Sequence, residues 1–461
     1  MERLFIEDET KYKEKHLNFS ILLDAYNRAE FKGLNSFVEE IRRDAPSGLI
    51  GKISKSIEKN KKNLNSVVLN LFVAWRISKR LYIAVPLAKD RYKKSERLGR
   101  LFFNREGVSN AIKLLELKGL IEAHKGSFNR ETQKGHFTRI IATEKLQEMF
   151  SSMIIDLPKI VPEHQPVYLR RANKENINIK AGKHAQNAKP FKKNVDLINE
   201  FHSKAKWTLN ITEEEFIQEY IIKKMAAPSK KKKKGKNTRK QTTYPPNPLK
   251  TKLHRVFNVD FEHGGRFYGI WPQNAPSSLR KHILINDEPT VELDFKAMHP
   301  TILYHEAGVE CPKDPYQILD YNSEEERRRN RKSMKLLFNM ALNARSKEEA
   351  FAGYRGKALT LGDKIAAGSR KKEWYTKAYD TMEKYHAPIK QSFGTGDGTR
   401  LQRIDSDIAE IVLLKLAEMN IPAIPVHDSF CVQERHEETL RKTMQEASEA
   451  VVGIALAVDK K

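Results

Sequence analysis

Two aspartates, Asp294 and Asp428, stand where short apolar runs end. Asp294 belongs to Val291–Phe295, in which apolar and acidic side chains alternate, and Asp428 follows Ile424–Val426 after one histidine. Alternation and short apolar runs of this kind predict β-strands. Carboxylates at the tips of neighbouring strands can hold a pair of divalent metal ions over a phosphoryl group. The two acids therefore predict a phosphoryl-transfer site that binds two Mg²⁺ ions, with Mn²⁺ as the second candidate ion.

A basic segment between the two aspartates predicts a helix that binds a nucleotide. Arg331 and Lys335 are spaced so that a helix places both cations on one face, where they can meet a triphosphate. Asn339 and Asn343 continue that spacing among apolar residues. A solvated basic helix is the alternative. It explains the arginines at 327–329 but not the two asparagines.

A glycine pair precedes several residues suited to nucleic-acid contact. The glycines at 264–265 permit close approach of another chain. Arg266 and Tyr268 beside them can grip a phosphate and stack on a sugar or base, and Gln273 follows shortly after. The alternative is a glycine turn that merely exposes a surface arginine.

Three further polar residues flank the predicted strands and helices. His299 lies where the chain leaves the strand of Asp294 and enters a helix predicted over 301–307. Its alternative is a helix-capping or core histidine. Gln402 opens a long apolar helix, in which Asp405 either caps the helix or reaches the metals. His427 precedes Asp428 in a predicted hairpin turn, for which a structural Asp-Ser turn is the alternative.

The composition points to a polyanionic partner. The chain has 461 residues, with 84 basic against 59 acidic side chains and a net charge of +25. Such a surface attracts nucleic acid. No run of about 18 apolar residues is present to cross a bilayer, so we expect no membrane partner. Two cysteines, Cys311 and Cys431, exclude a disulfide framework and indicate a reducing, intracellular setting.

Residues 62–148 resemble a winged helix-turn-helix. A helix is predicted over Arg105–Lys118 and stops at Gly119, and strands at 120–124 and 137–143 flank a basic loop at 125–135. The helix would be the recognition helix and the loop the wing. A small scaffold that packs without touching DNA is the alternative. The polar and basic residues that favour DNA contact are Arg105, Asn110, Lys113, Arg130 and Lys134.

Residues 250–435 resemble the polymerase domain of family A DNA polymerases and of the related single-subunit phage-type RNA polymerases. The order of motifs carries the resemblance: Gly-Arg with a downstream Gln-Asn-x-Pro, an acid-ended strand, Arg-x3-Lys, Gln-x4-Asp-Ile, and Val-His-Asp. It implies an α+β fold with a right-hand architecture, in which an antiparallel palm sheet carries helical fingers. The N-terminal winged helix would be added to this polymerase domain.

The resemblance also implies a role for each motif. Metals would bind Asp294 and Asp428, the triphosphate would bind Arg331 and Lys335, and His299 would lie beneath the sugar of the incoming nucleotide. The template and primer would meet Arg266, Gln402 and His427.

The departures from the family pattern bear on the product. Asn343-Ala344 stands where the family has Tyr-Gly in the fingers helix, so we expect selection of the incoming base to differ from that of the family. Ser429 stands where DNA-making members carry an acid, as in the RNA-making branch. The segment from Asp294 to Pro300 also resembles the first motif of family B polymerases. No paired-acid stretch leaves room for a proofreading nuclease.

Four regions follow from these patterns. They are a helical segment at 1–60, the winged helix at 61–150, a helical thumb-like region at 151–250 with a basic linker at 229–241, and the palm and fingers at 251–461. We expect a cytoplasmic, nucleoid-associated protein. The basic linker, which looks like a nuclear localisation signal, keeps a nuclear site open.

These expectations converge on a template-directed DNA polymerase that serves replication or repair of a replicon or mobile element. Its partners would be template, primer, nucleoside triphosphates and replication or mobile-element proteins. The first alternative is RNA synthesis by a primase or a single-subunit RNA polymerase, which Ser429 favours and His299 opposes. The second is a DNA-binding replication initiator without catalysis.

Overall fold

A computed structural model gives the fold of the chain. It describes residues 4–5, 16–24, 27–28, 32–51, 54–92, 104–129, 131, 134–152, 161–162, 165–179, 181–222, 245–247 and 250–461. The basic linker predicted at 229–241 and Arg130 of the predicted wing lie outside these residues.

The described part of the chain mixes α-helices and β-strands, as the sequence predicts. The helices in chain order are α1 (Lys32–Arg42), α2 (Ser47–Ile50), α3 (Ser54–Ile77), α4 (Arg105–Leu117), α5 (Glu144–Ser152), α6 (Gly182–His202), α7 (Glu213–Phe216), α8 (Ser277–Arg280), α9 (Met298–Glu306), α10 (Glu324–Asn343), α11 (Lys347–Leu361), α12 (Lys372–Tyr385), α13 (Gly398–Glu418) and α14 (Glu437–Val452). A π-helical turn, Ile217–Ile222, continues α7. Every helix in this part of the chain is too short or too polar to traverse a lipid bilayer.

The strands are short, and most of them pair in antiparallel fashion. In chain order they are β1 (Ser20–Leu22), β2 (Asn27–Arg28), β3 (Tyr82–Val85), β4 (Ile121–His124), β5 (Ser127–Asn129), β6 (Lys134–His136), β7 (Thr138–Ala142), β8 (Val161–Pro162), β9 (Val167–Arg170), β10 (Asn176–Ile177), β11 (Trp207–Leu209), β12 (His254–Asn258), β13 (Gly264–Tyr268), β14 (Ile283–Ile285), β15 (Glu288–Phe295), β16 (Ile424–Val426), β17 (Ser429–Gln433) and β18 (Val458–Lys460).

The first of two compact units comprises Met1–His164, Lys206–Thr251 and Asn274–Pro289. Its sheet has the order β1-β3-β7-β4, and β5 and β6 form a separate hairpin between β4 and β7. Helix α3 is apolar along its second half and packs against α4, which ends before Gly119 at φ 66°. The predicted helix stop at this glycine is therefore confirmed.

The second unit comprises Gln165–Ala205, Lys252–Gln273 and Thr290–Lys461, and it contains two sheets. One sheet has the order β10-β9-β12-β13, and its core includes Val167, Leu169, Phe257 and Phe261. In the other, β17 lies between β16 and β15, and β18 pairs with the opposite edge of β15. Helix α13 packs against α14 and β13. The strands predicted to carry the aspartates are therefore adjacent in one antiparallel sheet.

Candidate active site

The carboxylates of Asp294 and Asp428 belong to adjacent antiparallel strands. In the ladder between β15 and β17, Asp294 pairs with Ser429, the residue that follows Asp428. The backbone N–H of Phe295 donates to the carbonyl oxygen of Asp428 at 3.3 Å. Both aspartates therefore lie at the same end of the two central strands of their sheet.

Alternation along β15 decides which way Asp294 faces. Val291, Leu293 and Phe295 are buried, whereas the intervening Glu292 and Asp294 are only partly buried. Successive side chains of a strand point to opposite faces. The apolar set therefore packs into the core, and the two acids share the open face.

A two-residue turn presents Asp428. Val426 pairs with Ser429, so His427 and Asp428 alone connect β16 to β17. His427 has a φ of 62°, in the left-handed region that two-residue hairpin turns use. Burial lowers the pKa of His427, and the charge of Arg266 lowers it further. The imidazole beside Asp428 is therefore neutral at neutral pH.

The surroundings of Asp294 oppose its ionised form. Burial raises the pKa of Asp294 to about 6, and the charge of Asp428 adds to this effect, while Lys461 and Lys335 oppose it. Its Oδ2 lies 3.2 Å from Nζ of Lys461. Its Oδ1 is buried and has no hydrogen-bond partner among the described residues. A buried carboxylate oxygen without a donor suits a hard cation such as Mg²⁺.

Asp294→Asn is expected to stabilise the metal-free protein at neutral pH. Because folding raises the pKa of Asp294 from 3.8 to about 6, the stability linked to its protonated form is complete below pH 3.8 and is lost as the pH rises through 6. Asparagine resembles the protonated form, so the free energy of unfolding should rise by roughly 1–3 kcal/mol at pH 8. The gain should shrink towards pH 4. Denaturant unfolding at both pH values measures it, and a variant less stable than wild type at pH 8 contradicts the prediction.

Helix α10 brings two cations beside the carboxylates. The guanidinium carbon of Arg331 and Nζ of Lys335 lie 5.6 Å and 5.5 Å from the centroid of the Tyr316 ring. The charge of Lys335 acts on Asp294, and the charge of Asp428 acts on the Tyr316 hydroxyl. Burial raises the pKa of Tyr316, so its hydroxyl stays protonated. The structure thus places the cationic face of α10 next to the aspartates.

Local contacts fix the start of α10 and the position of Arg331. Ser323 caps the helix by accepting a hydrogen bond from the N–H of Glu326, and three glutamates in the first turn complement the helix dipole. Nε of Arg331 donates to Oδ2 of Asp314 at 2.6 Å. The carboxylate of Asp314 therefore holds the guanidinium of Arg331 in place.

Asn343 of α10 makes a polar contact with α13, and its side chain also bonds the backbone of Asn339. Nε2 of Gln402 donates to Oδ1 of Asn343 at 3.1 Å, and Nδ2 of Asn343 donates to the carbonyl of Asn339 at 2.8 Å. A Cβ on Gly398 would come within 2.6 Å of the Asn343 side chain. Gln402, which the resemblance assigns to template or primer, thus contacts the helix assigned to the nucleotide.

Asp405 joins Arg266 to His299. Its side chain is 1% exposed. Nε of Arg266 donates to its two carboxylate oxygens at 3.0 Å and 2.9 Å, and Nε2 of His299 lies 3.0 Å from Oδ2. The expectation that Asp405 caps its helix is wrong, whereas the alternative that it reaches the metals stays a prediction. Helix α13 begins at Gly398, and both oxygens of Asp405 are occupied by these partners.

The glycine pair packs closely against other residues of its own chain. Gly264 and Gly265 have φ values of 78° and 84°. A Cβ on Gly265 would come within 2.8 Å of both Phe257 and Ser406. The expected approach of a second chain at Gly265 is therefore replaced by packing between β13, β12 and α13.

Two other residues predicted to contact nucleic acid have partners of their own. Tyr268 makes an edge contact with the ring of His427, with centroids 6.2 Å apart. Nε2 of Gln273 donates to the carbonyl of Phe267 at 2.6 Å. Tyr268 is therefore beside the turn of Asp428, whereas Gln273 is tied to its own backbone.

The residues predicted for DNA contact in the first unit differ in how exposed they are. Arg105 and Lys113 are exposed on α4, although Nε of Arg105 donates to the carbonyl of Leu87. Asn110 is only 9% exposed. The expectation that Asn110 reads DNA therefore fails, because its side chain lies on the buried face of the helix. Lys134 belongs to β6.

Three residues of the site were not among those predicted from the sequence. Tyr316 lies beneath both cations of α10, and Glu292 accepts a hydrogen bond from the Ser429 hydroxyl at 2.8 Å. Lys461, the residue after β18, reaches Asp294. The alternation along β15 could have identified Glu292, since it shares the face of Asp294. Nothing local marks the other two.

The protein ligands for a metal are few. Among the described residues, no three or more His, Cys, Asp and Glu side chains are grouped to hold a metal ion. Mg²⁺ commonly binds one or two carboxylates and completes its shell with water and substrate phosphates. The donor set of Asp294 and Asp428 fits that mode of binding.

Comparison with known proteins does not assign the chain to a family. No protein-family model matches the sequence, and no curated protein matches it significantly. One solved structure that is similar in part is the POL domain of Pol1 from M. smegmatis in complex with DNA primer-template and dNTP. The TM-score is 0.29 and the identity 14%, and the alignment covers 46% of this chain and 47% of that one. The chain thus spans about half the length of this neighbour.

Proposed function

We propose that this chain is a template-directed nucleotidyltransferase, a DNA polymerase that extends a 3′-hydroxyl by two-metal phosphoryl transfer. One observation carries the proposal. The carboxylates of Asp294 and Asp428 lie at the ends of adjacent strands beside the cationic face of α10, and Oδ1 of Asp294 is buried without a donor in the described structure. Acids for metals next to cations for phosphates are what phosphoryl transfer requires.

The residues of the site have separate proposed roles towards the metal, the triphosphate and the sugar. Asp294 and Asp428 would hold Mg²⁺, which when bound would supply activation of the attacking hydroxyl and neutralisation of the leaving pyrophosphate. Arg331 and Lys335 bind the triphosphate and stabilise the charge that develops on it. His299, fixed by Asp405, would lie beneath the sugar.

The same proposal extends to the primer and template. Arg266, Tyr268 and His427 cluster next to the turn of Asp428 and would bind the end of the duplex. Gln402 would do so from α13. The sheet of β15 to β18 corresponds to a palm and helices α10 to α12 to fingers.

The test is incorporation of labelled nucleotide on a primed single-stranded template. Wild-type protein should extend the primer in Mg²⁺ and stop when the metal is chelated. Deoxynucleotides and ribonucleotides are supplied separately, each with and without primer. Absence of metal-dependent incorporation under all four conditions would refute the proposal and leave a DNA-binding initiator.

RNA synthesis is the second candidate, and Ser429 favours it. Ser429 stands beside Asp428, where an acid would add negative charge, and its hydroxyl is bound to Glu292. Incorporation of ribonucleotides alone, without primer, would select this alternative in the same assay.

The first unit is proposed as a winged helix that recruits the enzyme to a replicon or mobile element. The support is the order α3, β3, α4, β4, the β5–β6 hairpin and β7, in which α4 precedes the hairpin. Helix α4 would be the recognition helix.

Lys113→Glu is expected to weaken DNA binding by roughly tenfold, because it reverses one exposed charge that would meet a phosphate. Fluorescence anisotropy with duplex DNA at two salt concentrations measures the change. Glu116→Gln, an exposed substitution on the same helix, is the control. An affinity equal to wild type would remove α4 from the DNA interface.

A further inference from the structure

Strand β18 positions Lys461, the residue that follows it, beside the carboxylates. β18 runs antiparallel to β15, with Asp459 opposite Asp294, and the N–H of Lys461 donates to the carbonyl of Glu292 at 3.0 Å. Side chains alternate along a strand, so Lys461 and Asp459 share the face of the acids, and Lys460 faces away. Accordingly, Nζ of Lys460 lies 2.7 Å from Glu437 of α14.

The ammonium of Lys461 bridges two acids. Nζ lies 3.2 Å from Oε1 of Glu292 and 3.2 Å from Oδ2 of Asp294. These acids are 13% and 24% exposed, so the ion pairs are partly shielded from water. Asp294 therefore uses one oxygen for a cation of the chain, and the other remains buried and without a donor among the described residues.

We propose that Lys461 is a resident cation of the carboxylate site, which occupies one cation position on Asp294 and competes there with a divalent ion. The inference rests on the proposed function, since it assigns the remaining oxygen of Asp294 to metal shared with Asp428. Oδ1 of Asp294 would be left for a first divalent ion, and Oδ2 would become available to a second only if the ammonium of Lys461 moved away.

The charges on this face account for the arrangement. Glu292, Asp294, Asp428 and Asp459 would repel one another on neighbouring strands, and like charges directly opposite destabilise a sheet. Lys461 offsets part of that repulsion in the metal-free protein. A divalent ion that approaches Oδ2 must then overcome a positive charge within contact distance of the same carboxylate.

Mn²⁺ binding to the full chain, without nucleotide, tests the inference by electron paramagnetic resonance. Lys461→Met should bind Mn²⁺ about tenfold more tightly than wild type, or bind an additional ion, because the competing charge is gone. Lys461→Arg keeps the charge and should resemble wild type. Lys460→Met, one residue earlier in β18 and facing α14, should also resemble wild type.

The inference is overturned if Lys461→Met binds Mn²⁺ no more tightly than Lys460→Met. If Lys461→Met does not fold, Lys461→Gln provides the same comparison, and thermal unfolding checks both. Asp294→Asn should abolish the tight Mn²⁺ site in every background. Loss of the proposed function shows separately, as absence of incorporation by wild-type protein that still binds Mn²⁺.

Discussion

Asp428→Asn is expected to reduce nucleotide incorporation by roughly a thousandfold or more, and Asp294→Asn to do the same. Asparagine has nearly the shape of aspartate, so β15 and β17 should pair as before. It lacks the negative charge that a hard divalent cation requires. Because the ionised form of Asp294 is disfavoured in the metal-free fold, the neutral variant should fold at least as well as wild type. Lost activity would therefore report lost chemistry. Primer extension in excess Mg²⁺ gives the rate.

DNA affinity provides the internal comparison for both variants. Binding to phosphates depends on the basic surface, and the chain carries a net charge of +25. Removal of one acid should leave the affinity unchanged or slightly higher. Asp380→Asn is the control, since Asp380 is 50% exposed and pairs with Lys347. Full incorporation by Asp428→Asn, or an equal loss in Asp380→Asn, would refute the assignment of the carboxylates.

The strands and the basic helix were predictable because their signals are local. Alternation over Val291–Phe295 orients Asp294 wherever the strand is placed, and the i, i+4 spacing of Arg331 and Lys335 puts both cations on one helix face. Each pattern depends on a few consecutive residues and the period of one element. The structure also places both patterns in one unit, which the motif order suggests but periodicity does not.

The remainder of the site depends on long-range pairing. Lys461 and Glu292 are 169 residues apart, and Asp405 and Arg266 are 139 residues apart. No rule based on periodicity selects which distant strand pairs with β15. Asp405 looked like a capping or metal-binding acid because only its helix was visible in the sequence. The structure shows that β13 supplies its arginine and α9 its histidine.

Arg255 shows a further limit of sequence analysis. A lone arginine in a strand is normally expected at the surface, yet Arg255 is 0% exposed. Its guanidinium donates to the carbonyl of Gly265, to Glu410 and to Ser406 at 2.7 Å, 2.7 Å and 2.8 Å. Three phenylalanine rings surround it, with centroids 4.9–5.2 Å from its guanidinium carbon. Arg255 therefore links β12 and β13 to α13, close to the ion pair of Arg266 and Asp405.

Arg255→Met is expected to destabilise the second unit by roughly 3–5 kcal/mol, because it leaves the acid of a buried ion pair without its partner. Glu410 is only 13% exposed, so water cannot fully replace the guanidinium. The melting temperature should fall by roughly 10 °C. Lys347→Met breaks an exposed pair, with partners 37% and 50% exposed, and should cost at most about 1 kcal/mol.

The double variant Arg255→Met with Glu410→Met separates two costs. One is the cost of leaving the charge of Glu410 without a partner, and the other is the loss of the hydrogen bonds that Arg255 makes to Gly265 and Ser406. Replacing both members of a buried pair by apolar side chains is often close to neutral, so the double variant should recover most of the lost melting temperature. Asp407, whose carboxylate also lies 3.2 Å from Arg255, keeps its ion pair with Arg403 in this background. If the double variant is as unstable as Arg255→Met, the hydrogen bonds to Gly265 and Ser406 carry the stability, and the charge of Glu410 does not. In either case, incorporation measured below the melting temperature shows whether β13 still presents Arg266 to Asp405.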